Sequence, residues 1–199
     1  MSKDNLYKFS YTIDKDNRNK MNGHNSFVIW LTGLSGAGKS TLADKLDQIL
    51  YLNDIHSYIL NGDNVRKALN GDLGFTDEER DENIRRVSEV AKLFVDAGFI
   101  VITSFISPLQ SHRDLAKKII GEDYFKEVYI NTSFEECMKR DTKGLYKLAN
   151  EGKLKNFTGL DSPFEAPLNP DCIIKTENRT IGKSLDDLWE FVANCINIK

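Results

Sequence analysis

Nearly continuous apolar runs alternate along this chain with stretches of helical period. Phe27-Val28-Ile29-Trp30-Leu31 and Phe99-Ile100-Val101-Ile102 are two such runs, and strands of this kind belong to a parallel sheet covered on both faces. Behind the first, Leu42, Leu46, Ile49 and Leu50 recur at helical spacing. The pattern predicts strands at 27–32, 57–60, 99–105, 126–130 and 171–176. It predicts helices at about 39–52, 83–97, 111–120, 133–140 and 184–197. Strict alternation of the two predicts a three-layer α/β domain, doubly wound around a mostly parallel central sheet. Ligands of such folds gather at the C-terminal ends of the strands. Polar residues accumulate there: the first strand feeds a glycine loop, the second runs into Asn61-Gly62-Asp63-Asn64, and the third into Ser104-Phe105-Ile106-Ser107-Pro108.

Two segments fall outside the alternation. Residues 1–24 are rich in Lys, Asp and Asn with scattered Tyr and Phe, too little apolar surface for a core, and are expected to form an N-terminal extension to a domain spanning 25–199. Residues 141–170 carry several lysines, glycines and prolines around a short helix near 145–150. An irregular segment of that length in a compact domain is either disordered or a functional lid, and a mobile lid is the reading preferred because phosphate transfer needs water excluded.

Composition narrows the class. A chain of 199 residues with 40% hydrophobic residues and a formal charge of −3 suits one soluble domain. Its basic residues are outnumbered and form no long run, which argues against a nucleic-acid surface. Cys137, Cys172 and Cys195 lie far apart without metal-ligand spacing, so they are expected to be buried thiols of a reducing cytoplasm. No apolar run is long enough to span a bilayer, and the first residues do not resemble a signal peptide, so no membrane partner is expected.

The glycine loop carries the chemistry. Gly33, Gly38, Lys39 and Ser40 have the Walker A spacing, in which glycines let successive backbone N–H groups surround phosphate oxygens. Gly33, Ser35, Gly36, Ala37, Gly38, Lys39, Ser40 and Thr41 are therefore the predicted nucleotide-binding set, in a P-loop NTPase-type domain. Lys39 reaches the β and γ phosphates of ATP, Ser40 offers its hydroxyl to Mg²⁺, and the following helix adds its positive end.

A second anionic ligand is suggested by Asp63, Arg66, Phe75, Arg80, Asn83, Arg85 and Arg86, which follow the second strand. Guanidinium groups take phosphate or sulfate oxygens bidentately. The alternative for Arg85 and Arg86 is an exposed helical face with ion pairs to Asp81, Glu82 and Glu89. Phe75, in a loop that enters a helix cap, and Phe157, beside Thr158-Gly159, are placed to stack on the two faces of a base. Asp63 is the best candidate to assist an attacking hydroxyl, as a base or as a Mg²⁺ ligand through water.

The ordered set Gly33-Leu34-Ser35-Gly36-Ala37-Gly38-Lys39-Ser40-Thr41, Gly62-Asp63-Asn64-Val65-Arg66, Asp72-Leu73-Gly74-Phe75, Glu82-Asn83-Ile84-Arg85-Arg86-Val87, Phe105-Ile106-Ser107-Pro108, Lys143-Gly144-Leu145-Tyr146-Lys147 and Phe157-Thr158-Gly159 resembles the adenylyl-sulfate kinases. The resemblance runs from about residue 25 almost to the end. It implies phosphorylation by ATP of the 3′-hydroxyl of adenosine 5′-phosphosulfate, a step of sulfate activation, in a homodimer. It also implies that Arg66, Arg80 and Asn83 hold the phosphosulfate, that Phe75 and Phe157 sandwich its adenine, and that Ile106 and Ser107 line the pocket. Lys143 enters from the lid, and Asn64 and Asn156 join the acceptor set from the same motifs. Ser107 resembles a serine assigned as a phosphoserine intermediate in some members; a pocket donor is the reading preferred, because two bound substrates can meet without a relay. Two positions depart from the family pattern: Asn61, where an Asp is usual, and Leu148, where a second basic lid residue is common. The glycine loop by itself also fits a kinase for another acceptor, or an ATP-binding regulator that has lost turnover.

Overall fold

Val28–Thr32 form the first strand, β1, and every one of its five residues is buried. This burial is what the unbroken apolar run demands: Val28 and Trp30 point to one face of the sheet, Ile29 and Leu31 to the other. The computed structural model describes residue 7 and residues 9–197; residues 1–6 and 8 of the predicted extension lie outside the described residues.

Four more strands complete the sheet: β2 (Ser57–Asn61), β3 (Ile100–Ser104), β4 (Phe125–Asn131) and β5 (Cys172–Lys175). Their order is β2-β3-β1-β4-β5, and all four pairings are parallel. The sheet is thus fully parallel where a mostly parallel one was expected. β1 lies between β3 and β4, with Leu31 opposite Ser104 and Thr32 opposite Tyr129. Chain direction away from β1 differs for its two neighbours, which creates the crevice at the strand ends where ligands of doubly wound folds bind.

Helices cover both faces. On one side α2 (Lys39–Leu52) and α8 (Ile181–Cys195) pack Leu42, Leu46, Leu50, Leu188 and Val192 against Ile29, Leu31, Ile102 and Ile130. On the other, α4 (Asp77–Asp96) and α5 (Gln110–Ile120) bring Ile84, Val87, Ala91 and Ala116 onto Val28, Trp30, Val101 and Phe125. Between these run three short helices, α3 (Gly62–Lys67), α6 (Phe134–Arg140) and α7 (Leu145–Asn150), the last inside the predicted lid segment.

Three elements differ most from the sequence expectation, and in each the missed stretch is polar; α8 is also shifted, starting at Ile181 behind a Thr180 cap rather than at 184. α4 starts at Asp77 rather than near 83, because Thr76 and Glu79 form a reciprocal capping box and its first turn is acidic. α3 stands where a loop was expected; the Asn61 side chain accepts from the backbone N–H groups of Asp63 and Asn64 and so caps it. α1 (Lys15–Asn22) lies in the extension, with a capping box between Asp14 and Asn17. It has no buried residue, so apolar periodicity could not reveal it. Arg18 Nη1 donates to Asp96 O at 3.3 Å and Asn22 Nδ2 to Gly98 O at 2.9 Å, which fix it on the turn after α4. The cysteines are all free, but only Cys137 is buried. Cys172 lies on edge strand β5 and Cys195 in the last turn of α8, so both are half-buried. Among the described residues no helix is long and apolar enough to cross a membrane.

Gly98 adopts φ +90°, and a Cβ there would meet Asn22 Nδ2 at 2.7 Å and Arg18 Cβ at 3.1 Å. Gly98→Ala is therefore expected to destabilise the fold by about 1–2 kcal/mol through backbone strain and displacement of α1. A thermal melt checks this; an unchanged midpoint would show that α1 is not held there.

Candidate active site

The loop between β1 and α2 approaches β4 so closely that a side chain at its first position is excluded. A Cβ on Gly33, at φ +147°, would sit 2.6 Å from Ile130 O. The loop then winds into α2 at Lys39, whose side chain is buried and folds back to donate to Gly33 O at 2.7 Å and Leu34 O at 2.8 Å. Burial lowers its pKa from 10.5 to about 7, with Lys143 acting in the same direction and Cys137 and Asp63 against it. Ser40 and Thr41 are exposed at the helix start. Ser35, Gly36 and Gly38 are half-buried, and Ala37 is fully buried with its carbonyl accepting from the hydroxyls of Thr132 and Thr176.

The end of β2 is tied to this loop. Asn61 Nδ2 donates to Ser40 Oγ at 3.0 Å while its Oδ1 caps α3, and Ser40 Oγ lies 3.1 Å from Ser104 Oγ at the end of β3. Asp63 and Asn64, in the first turn of α3, are exposed. The Asp63 carboxylate accepts from Lys143 Nζ, so the lid segment reaches the phosphate-loop side of the crevice. Asn61 thus connects the nucleotide loop to the segment that carries the candidate carboxylate.

Arg66 and Arg80 sit side by side. Burial and then the neighbouring Arg80 guanidinium lower the pKa of Arg66, with Glu79 opposing. Arg66 Nη1 donates to Gly74 O at 2.7 Å, and its guanidinium lies 4.4 Å from the centre of the exposed Phe75 ring. Arg80 donates to Phe75 O at 3.1 Å, Asn156 O at 2.6 Å and Thr158 Oγ1 at 3.1 Å, and so joins α4 to the segment predicted as a lid. These hydrogen-bond partners are carbonyls and a hydroxyl, which carry no formal charge, and the Glu79 carboxylate acts on Arg66 from outside its hydrogen bonds. Asn83 is buried one turn along α4 and accepts from Asn70 at 2.9 Å. Arg85 and Arg86 take the other reading: Glu82 and Asp72 pair with them, and they form part of an ion-paired helical face.

Two expected ligand groups are turned inward. Ser107 is buried at φ +38°; its Oγ accepts from Trp30 Nε1 at 3.1 Å and donates to Thr32 Oγ1 at 3.0 Å. Thr32 in turn donates to Ile106 O at 2.7 Å. With both roles of its hydroxyl filled, Ser107 in this arrangement neither faces the pocket as a donor nor presents an oxygen for phosphorylation. Its carbonyl accepts from Arg113 Nη1 at 2.8 Å, and Arg113 is itself buried with Nε 2.7 Å from Glu127 Oε1. Ile106 is half-buried at the mouth of the loop. Phe157 was expected to be free for stacking but is 7% exposed, set edge-on to Tyr146 at 4.9 Å in the core below the lid. Its backbone N–H donates to Asp161, which also accepts from the N–H of exposed Asn156.

The structure adds residues that sequence reasoning missed. A narrow cleft beside Gly38 and Thr41 is lined by Arg140, Thr176, Arg179 and Ile181. Arg140 donates to Thr176 Oγ1 and O, each at 3.0 Å. The signal was available: Thr176 follows β5 as the other polar groups follow their strands. A larger cleft of about 450 Å³ lies between Leu34, Phe134 and the 159–164 turn. None of Arg66, Arg80 and Lys143 lines it. Among the described residues no cluster of three or more His, Cys, Asp or Glu could hold a metal ion. Ser40 and Asp63 are exposed oxygen donors, which fit a hard cation that arrives with a nucleotide rather than a resident one.

The Adenylylsulphate kinase family profile matches residues 25–175. The chain is 51% identical over 182 residues to the probable adenylyl-sulfate kinase of Bacillus subtilis (strain 168), covering 92% of each. It is 52% identical over 180 residues to the adenylyl-sulfate kinase of Clostridium acetobutylicum, covering 90% of each. Among solved structures, the Mycobacterium tuberculosis APS kinase CysC in complex with AMPPNP and APS superposes with a TM-score of 0.81 at 41% identity, over 85% of this chain and 98% of that one. A glycine loop, an adjoining arginine pair and near-complete coverage by these relatives converge, and the chain belongs to the adenylylsulphate kinase family.

Proposed function

We propose that the protein transfers the γ-phosphoryl group of ATP to the 3′-hydroxyl of adenosine 5′-phosphosulfate, giving ADP and 3′-phosphoadenosine 5′-phosphosulfate. The observation that carries this reading is the Asn61 bridge, which hydrogen-bonds Ser40 of the phosphate loop to the segment bearing Asp63 and Arg66. A nucleotide held by the loop and an acceptor held by the arginines would meet at that seam. The kinase complex with AMPPNP and APS supports the same pairing of ligands.

In this reading, backbone amides of residues 33–41 cradle the triphosphate, and Lys39 leaves its two carbonyls for the β and γ phosphates. The cleft at Arg140, Thr176 and Arg179 takes the ATP base side. Arg66, Arg80 and Asn83 grip the phosphosulfate, and Phe75 offers an exposed ring to its adenine. Phe157 reaches the other face of that base when the lid turn shifts. Lys143 exchanges Asp63 for phosphate oxygens, and Asp63 then orients the 3′-hydroxyl. Ser40 and Asp63 would hold Mg²⁺, which when bound with ATP neutralises phosphate charge. Transfer is direct, since the Ser107 hydroxyl is committed to Trp30 and Thr32.

Incubation with ATP, Mg²⁺ and adenosine 5′-phosphosulfate, followed by nucleotide chromatography, should yield the 3′-phosphorylated product; recovery of unchanged acceptor would defeat the assignment. Arg80→Ala should raise the acceptor KM by about tenfold or more, through loss of a charge-assisted contact, with little change for ATP. An equal rise for both ligands would place Arg80 elsewhere. Phosphate oxygens favour protonated Lys39 and should raise its pKa from about 7. Nucleotide binding should then take up protons at pH 8 and weaken as pH rises, which calorimetry in buffers of differing ionisation enthalpy would detect. Absence of proton uptake would show that Lys39 is already charged. In the free protein the sign is opposite: between about 7 and 10.5 the unfolded chain binds the Lys39 proton that the native chain lacks, so this group's contribution to stability increases with pH.

A further inference from the structure

We propose that Asn70 is a positioning residue that sets the direction of the Asn83 amide and thereby selects for an anionic acceptor. The inference rests on the acceptor reading given above. Asn70 lies in the turn between α3 and α4, where Leu69, Gly71 and Asp72 are exposed, yet its own side chain is fully buried. Its backbone is fixed on both sides: its N–H donates to Val65 O at 3.0 Å, and its carbonyl accepts from Leu73 N at 3.1 Å. The side chain makes one hydrogen bond, from Nδ2 to Asn83 Oδ1 at 2.9 Å, and Oδ1 of Asn70 meets no donor among the described residues.

A buried amide with an unpartnered oxygen carries a desolvation penalty that an apolar residue of similar size would avoid. Core stability therefore does not explain it. Its effect is directional. With its oxygen held against Asn70, Asn83 is turned so that its amide N–H groups point away from that bond, and these are the groups it offers to a ligand. Donors suit sulfate or phosphate oxygens, beside the arginine one turn earlier on α4. A freely rotating Asn83 would present its carbonyl half of the time, and a carbonyl oxygen repels the same anion. Asn70 thus acts on the acceptor side alone, since it touches nothing in the phosphate loop.

Two substitutions separate orientation from folding. Asn70→Asp keeps the shape but replaces the donor by acceptors, which turns the Asn83 carbonyl outward. Asn70→Leu keeps the bulk and removes the hydrogen bond. Steady-state kinetics with ATP and adenosine 5′-phosphosulfate, and calorimetric titration of the acceptor into ADP-loaded protein, should show acceptor KM and Kd raised by about tenfold in Asn70→Asp and about threefold in Asn70→Leu. The ATP KM and the thermal midpoint of Asn70→Leu should stay at wild-type values. Acceptor constants unchanged in Asn70→Leu, or KM rising equally for both substrates, would overturn the proposal; Asn70→Leu decides the matter if Asn70→Asp does not fold. Wild-type protein that neither binds nor phosphorylates this acceptor would instead refute the functional reading, and the role of Asn70 with it.

Discussion

The site depends on how tightly main chain meets main chain where β1 ends. β1 is held between two parallel partners as far as Leu31 and by β4 alone at its last residue, Thr32, and Gly33 passes Ile130 O at a distance that no side chain could share. That approach bends the following amides inward and starts α2 at Lys39. The same packing removes Lys39 from water and leaves it bonded to the loop's own carbonyls. One close contact between backbones thus creates both the anion cradle and the perturbed amine within it.

The cations of this domain divide by the nature of their partners. Arg85 and Arg86 are answered by Glu82 and Asp72. Arg113 is sealed against Glu127 and supports the carbonyl of Ser107. Arg66 and Arg80 bond to neutral oxygens instead, and Arg66 feels its like-charged neighbour. Neutral acceptors satisfy N–H groups without cancelling charge, so this corner retains an excess of positive potential that suits an anionic ligand. Geometry alone would not have separated these arginines; the chemistry of what each one touches does.

Sequence reasoning recovered the sheet because β1 and β3 are almost unbroken apolar runs and the other strands carry short apolar stretches, and it recovered the phosphate loop because glycine, lysine and serine each have a separate task there. It did not recover α1, α3 or the first turns of α4, whose stability comes from side-chain caps at Asp14, Asn61 and Thr76 rather than from an apolar stripe. For single charged residues on α4 it left the choice between ligand and ion pair open. Spacing does not say whether Arg86 meets Asp72 across 14 residues. Ser107 and Phe157 show the opposite difficulty: residues in polar, loop-like surroundings are drawn inward by partners distant in sequence, Trp30 and Tyr146.

Arg80 grips the flap formed by the turn at 156–158 and also belongs to the cationic corner. Any anion that captures its guanidinium competes with Asn156 O and Thr158 Oγ1, so occupancy and loosening of that flap are thermodynamically linked. By reciprocity, whatever clamps the flap down weakens capture of the anion. Entry and enclosure would therefore be opposing demands on a single side chain, and a turn that closed over a guest would need a second set of contacts.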